Sequence, residues 1–196
     1  MRIKYNAPTV LTFAFISAAV LVLSQLLFHS LTEQWFVVPG KGGFSRGSIR
    51  NWITLFTHVL GHASWPHLVS NFSFILLIGP ILEKTYGSLS LMVMIVITAL
   101  VTGALNVLFF STGLLGASGI VFMMILLASF TNFNRGEIPL TFILVLILYL
   151  GRELFSSFGG GASGPGSNIS QFAHIVGGFI GSLFGFFKVP RMTDKT

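Results

Sequence analysis

Long apolar runs separated by short polar punctuation dominate the chain. Six of them predict membrane-crossing helices, at about 9–28, 67–83, 89–110, 116–133, 138–155 and 169–189. A spanning helix needs about 20 mostly apolar residues, because in lipid every backbone polar group must be satisfied within the segment. The first run carries no charge between Thr9 and Phe28. Arg2 and Lys4 before it imitate the start of a signal peptide, but its apolar stretch exceeds the ~7–15 residues of such a segment and no convincing small-residue cleavage site follows. It reads as a retained span. No charge occurs between Lys84 and Arg135, so the third and fourth spans share one apolar block, broken at Ser111-Thr112-Gly113. The fifth is short unless Arg152 and Glu153 sit at the interface. With no repeat of about 20–50 residues, the predicted architecture is all-α: one polytopic membrane domain over residues 1–196, with six spans.

Two connections depart from simple turns. Residues 30–57 carry Trp35, Phe36, Phe44, Trp52 and three basic residues, a composition suited to the membrane interface. Residues 156–168, rich in Gly and Ser, have the composition of a flap or of a slack linker.

Composition narrows the solvent. The 196 residues are 53% hydrophobic and 8% charged, against roughly a quarter charged in soluble domains. With a mean hydropathy of +0.87, too few charges remain to cover a water-facing surface. The absence of cysteine excludes disulfides, thiolate metal sites and a cysteine nucleophile. The basic balance does not point to nucleic acid, since the Lys and Arg residues are few and scattered between apolar runs. On six spans with both ends cytoplasmic, seven fall inside (Arg2, Lys4, Lys84, Arg135, Lys188, Arg191, Lys195) and four outside (Lys41, Arg46, Arg50, Arg152). That bias favours cytoplasmic termini.

Polar side chains within spans are costly and mark function by default. The candidates are His67, Asn71, Ser118 and His174. His67 and Asn71, four apart, share a helix face. Ser118 begins span four, and His174 lies about five residues into span six. Spans two, four and six run in one direction, so all four residues come to similar shallow depth below the outer surface. A hydroxyl and an imidazole at matched depth suggest nucleophilic catalysis, since a serine is inert until a base takes its proton. Ser118 lies in Gly116-Ala117-Ser118-Gly119, whose small neighbours admit a backbone N–H and a substrate carbonyl. His174 is followed by Gly177, Gly181 and Gly185, a row that lets membrane helices touch backbone to backbone. No acid is well placed to complete a triad: Glu33 and Glu153 alone fall outside, and Glu153 pairs more simply with Arg152. A Ser118/His174 dyad is therefore favoured. His67 and Asn71 then serve either as oxyanion donors or as interhelical hydrogen-bonding glue.

A metal site at His58, His62 and His67 is disfavoured by their four-then-five spacing and by Pro66, which suggests a helix start that leaves His58 and His62 on a separate segment. Haem between His67 and His174 would leave Ser118 and Asn71 unexplained. No cofactor is expected.

Taken together, several motifs carry a resemblance over about 56–187. They are His58-Val-Leu-Gly-His62-Ala-Ser-Trp-Pro-His67-Leu-Val-Ser-Asn71, the Glu83-Lys84…Gly87-Ser88 turn, Gly116-Ala-Ser118-Gly119 and Ala173-His174-Ile-Val-Gly177…Gly181. In this order the chain resembles the rhomboid intramembrane serine proteases. The resemblance implies a six-helix core with a water-filled cavity open to the outside. It implies Ser118 as nucleophile, His174 as general base, and an oxyanion held by the Ser118 N–H with His67 and Asn71. Single-span membrane proteins would be cut near the outer ends of their helices, with the fifth span and 156–168 as gate and cap. His58 and His62 would be structural. Three departures accompany it. Trp52 is followed by Ile53 and Thr54, where many members carry a Trp-Arg pair. Phe122 stands where a tyrosine often stacks on the catalytic histidine. Leu115 replaces a common glycine before Gly116.

Nothing in the sequence suggests an organelle import segment, so the plasma membrane of a prokaryote is expected, with the lipid bilayer as a partner and no nucleic acid; the resemblance adds single-span membrane proteins as substrates. The rival is a non-catalytic relative that binds client helices. Two Asn-x-Ser sequons, at Asn71 and Asn168, carry little weight.

Overall fold

The computed structural model describes residues 4–129, 140, 143, 144, 147 and 167–187. Its elements are α1 (Pro8–Leu26), α2 (Leu31–Trp35), α3 (Ile49–Thr57) running into a 3-10 turn (His58–Leu60), α4 (Trp65–Tyr86), α5 (Ser88–Phe109), α6 (Ser118–Ser129) and α7 (Ser167–Phe187). Apart from one antiparallel bridge between Val38 and Leu114, the described residues form no strand pairing.

Among the described residues, α1, α4 and α5 are long and apolar enough to cross a membrane, at 19, 22 and 22 residues. They stand where the runs at 9–28, 67–83 and 89–110 lead one to expect helices. Ser118–Ser129 and the Phe172–Gly185 part of α7 are shorter apolar helices. The described residues thus form an all-α, membrane-associated fold in which three helices of spanning length are found, against the six spans expected. The predicted span 138–155 lies outside the described residues except for residues 140, 143, 144 and 147, which are helical. The predicted flap lies outside them too, except that Ser167 and Asn168 already belong to α7.

Local chemistry fixes the helix ends. Pro8 and Pro66 sit in first turns, where a missing N–H costs nothing. The Ser64 hydroxyl accepts the His67 N–H at 3.3 Å, capping α4. At the other end Gly87 has φ +85°, a conformation that favours glycine and lets α5 begin one residue later.

Both ends of α1 are pinned to α4. The Glu83 carboxylate accepts the backbone N–H groups of Thr9 (2.8 Å) and Val10 (3.1 Å), replacing partners that the first turn of a helix lacks. At the opposite end Trp65 Nε1 donates to Gln25 Oε1 at 2.9 Å. Between them the α4 backbone at Gly79 lies against Val10, close enough that a Cβ would fall 2.7 Å from a Val10 methyl.

The connection that reads as interfacial is inside out by the standards of a water-facing helix. α3 buries Asn51, Thr54 and Leu55 and exposes Ile49, Trp52, Ile53 and Phe56, the pattern of an element whose outer face meets lipid. Its Leu55 lies against Gly103 of α5, a helix that buries a polar stripe, Thr98, Thr102 and Asn106, spaced at i, i+4 and i+8. Four backbone hydrogen bonds at three places tie the connection to the segment entering α6: Lys41 N–H to Phe110 O at 2.5 Å, the reciprocal Val38–Leu114 pair at 2.9 and 3.0 Å, and Gly116 N–H to His58 O at 2.9 Å. The 36–60 connection therefore acts as a template for residues 110–116.

Candidate active site

Ser118 is the first residue of α6. A helix start leaves its first N–H groups without intrahelical acceptors, a natural site for developing negative charge. The residues before it are held by His58 O through the Gly116 N–H. Gly116 has φ +109°, and a Cβ there would lie 2.8 Å from His67 Nε2 and 3.9 Å from Asn71 Nδ2. The glycine thus lets two side chains from α4 reach the turn that leads to Ser118.

Asn71 is buried, and its Nδ2 has no hydrogen-bond partner in the structure. A buried amide donor left unmatched costs about 1–3 kcal/mol, so its retention calls for a reason. It faces the same turn as His67.

Among the described helices, α6 and α7 form the most extensive pair. Their contact is backbone on backbone: a Cβ at Gly177 would penetrate Gly119 O, and one at Gly181 would penetrate Met123 O. Gly119 in turn lies against Ala173 O, 3.3 Å from where its own Cβ would be. The immediate neighbours of Ser118 and His174 are thereby set side by side. One turn along α6, the Phe122 ring stacks on the His174 imidazole, with centroids 4.3 Å apart and planes 11° from parallel. Side chains four apart share a helix face and lean toward the N-terminus, so the Phe122 ring covers the turn that starts at Ser118.

His58 and His62 support this region from outside the spanning helices. His58 Nδ1 donates to Thr54 O at 3.3 Å, and its Nε2 lies 3.4 Å from Thr102 Oγ1. Burial pushes His58 down to about 4 and holds it neutral. His62 donates from Nδ1 to Leu60 O at 3.3 Å and meets His67 edge-on at 5.0 Å. Burial, reinforced by the neighbouring His67, pushes it too down to about 4. Among the described residues no group of three or more His, Cys, Asp or Glu could hold a metal. A polar cavity of about 570 Å³ adjoins the same turn, lined by Gln25, His29, Glu33, His62 and Leu115 among others.

His67, Asn71, Gly116 and Ser118 therefore gather at one turn, and Gly119, Phe122 and His174 at the adjoining α6–α7 contact. Arg152 and Glu153 lie outside the described residues. Thr102 and Asn106 escape sequence inspection, because threonine and asparagine barely interrupt an apolar run. Their i, i+4 spacing with Thr98 is the signal that could have exposed them. Asn106 Nδ2 donates to Thr112 O at 3.1 Å, buttressing the loop before Ser118.

A family model described as a rhomboid domain matches residues 50–191. The chain is also similar to two proteins named rhomboid protease GlpG. That of Haemophilus influenzae is 26% identical over 133 residues, covering 66% of this chain and 66% of the relative. That of Pectobacterium atrosepticum is 25% identical over 195 residues, covering 95% of this chain and 65% of the relative. The chain spans just under two thirds of the length of these relatives.

Proposed function

The chain belongs to the rhomboid family, and on that premise we propose that it is an intramembrane serine endopeptidase working through a Ser118/His174 dyad. The observation that carries the reading is the α6–α7 contact, in which Gly119 packs against Ala173 and Gly177 while the Phe122 ring lies on His174. Phe122 fixes the imidazole plane, and Ser118 occupies the same face of α6 one turn earlier.

In the proposed reaction His174 takes the proton of Ser118 Oγ as that oxygen attacks the scissile carbonyl. The oxyanion is held by the Ser118 N–H at the helix start, by Asn71 Nδ2 and by His67. The protonated imidazole passes its proton to the leaving amine, and an acyl-enzyme remains on Ser118. Water then attacks, with His174 again as base, releasing the second product and restoring the serine. The unmatched Asn71 donor supports this reading, since it gains a partner when the oxyanion forms. Gly116 and Gly119 serve as supports, keeping room for His67 and for α7.

The reading extends to a six-span domain over 1–196 with cytoplasmic termini, a site open to the outer side of a plasma membrane, single-span membrane proteins as substrates, and no metal or cofactor in the chemistry. Both named relatives are rhomboid proteases, which supports the general type of substrate. Fluorophosphonate treatment of the detergent-purified chain followed by mass spectrometry tests it. A single adduct on Ser118, absent from Ser118→Ala and from His174→Ala, is expected. A folded wild-type chain that takes no adduct and cleaves no reporter overturns the assignment and favours a client-binding relative.

A further inference from the structure

A second cavity, of about 470 Å³, lies between α1 and α5 beneath the 3-10 turn, with Phe13, Ile16, Val59, Leu60, Val96 and Ala99 among its walls. Apart from Thr9 and Thr12 its lining carries no polar side chain. Both helices are long and apolar enough to span, so the medium at its mouth is lipid. Ile16 and Val96 are exposed and continue into an outward apolar belt with Phe15, Val93 and Ile97. The cavity's apolar walls and its mouth on the lipid side suit a single acyl chain.

Charge selects the lipid. The end of the cavity at Thr9 is where three helix ends meet: Thr9 Oγ1 donates to Ser88 O at 3.0 Å, and Glu83 accepts from the first turn of α1. The Glu83 charge is therefore already engaged by backbone donors. Lys4 precedes α1 by a few residues and Lys84 precedes α5 by four, and both are exposed. Two exposed lysines flanking this end of the bundle suit a phosphate by their charge.

We propose that the α1–α5 cavity is a binding site for one anionic phospholipid, its acyl chain under Val59 and Leu60 and its phosphate between Lys4 and Lys84. The chain then forms the floor of the His58–Leu60 turn, whose His58 carbonyl holds Gly116. The bound lipid would thereby support the loop before Ser118. The inference rests on the chain crossing a membrane and not on its proteolytic activity.

Native mass spectrometry of the full-length, detergent-purified chain tests this, with phosphatidylglycerol and phosphatidylcholine as the probes. One phosphatidylglycerol per chain is expected to survive activation that strips phosphatidylcholine. Ile16→Trp and Val96→Trp, on opposite walls, are each expected to abolish that retention while circular dichroism stays helical. Lys4→Gln and Lys84→Gln are expected to weaken the preference for phosphatidylglycerol about fivefold each. Equal retention of both lipids, unchanged retention in both folded tryptophan variants, or a chain dimer that blocks lipid uptake would overturn it.

Discussion

Asn71 concentrates the argument at the scale of single residues. Its buried Nδ2 lies beside the turn before Ser118 and has no hydrogen-bond partner in the structure; on the proposed mechanism it is the donor kept for the oxyanion. Asn71→Ala is expected to lower kcat by about 10²–10³ with KM nearly unchanged, measured as cleavage of a fluorescent transmembrane reporter in micelles. A loss confined to KM would reassign the amide to substrate binding. Gly116 is as constrained as any side chain here, since its φ of +109° and the His67 ring exclude a Cβ. The candidate positions at this scale are legible in the sequence, because His67, Asn71, Ser118 and His174 interrupt apolar runs where polar groups are expensive. Thr98 and Thr102 are not, because each hydroxyl donates to a carbonyl of its own helix, Met94 O at 2.7 Å and Thr98 O at 2.8 Å, and so is buried at little cost without interrupting the apolar run. Glu83 reads as an ordinary charge near a helix end; its function as a cap on another helix depends on a pairing across 73 residues that no local pattern encodes.

For the helices, the register between α6 and α7 is the decisive quantity. Gly119 and Met123 on one helix meet Gly177 and Gly181 on the other, so the pair is keyed at four-residue intervals on both sides. Gly177→Val would drive a side chain into the Gly119 carbonyl, which has nowhere to go. It is expected to cost about 1–3 kcal/mol and to abolish labelling of Ser118. Gly178→Ala, whose Cβ would rest 3.5 Å from Leu126 Cγ in ordinary contact, is expected to leave both unchanged. Thermal unfolding in detergent with parallel activity labelling separates the two. The glycine row suggests a close seam from sequence alone, but which residue faces which depends on the opposing helix. The long apolar helices α1, α4 and α5 are legible because length and composition suffice to define them. The interfacial composition of 30–57 is legible too, but the face that α3 buries is not, because α3 hides its polar residues and exposes its apolar ones, the reverse of the pattern used to find a surface helix.

Across the whole molecule, burial of neutral histidines links stability to pH. His58 and His62 are pushed from about 6.5 down to about 4, so between these values the unfolded chain binds more protons than the folded one. Stability is then complete above pH 6.5 and lost as pH falls toward 4. For His58 the full loss is about 3 kcal/mol, at 1.36 kcal/mol per unit. Melting temperatures taken from pH 7 to 4 should fall throughout that window, and His58→Gln should flatten the fall; a profile level to pH 4 would contradict it. The same histidine contributes its main-chain carbonyl to the link with Gly116, one of three places where the 36–60 connection holds the chain entering α6. All three links are made by main-chain atoms, so the connection measures out a distance and is largely indifferent to spelling. Exchanging its outward side chains for others of similar polarity should leave the serine where it is. Adding or removing one residue between Lys41 and His58 would shift the His58–Gly116 link against the Val38 and Lys41 links by up to about 3.3–3.6 Å of chain. A variant library of that stretch should therefore tolerate changed letters far better than changed length.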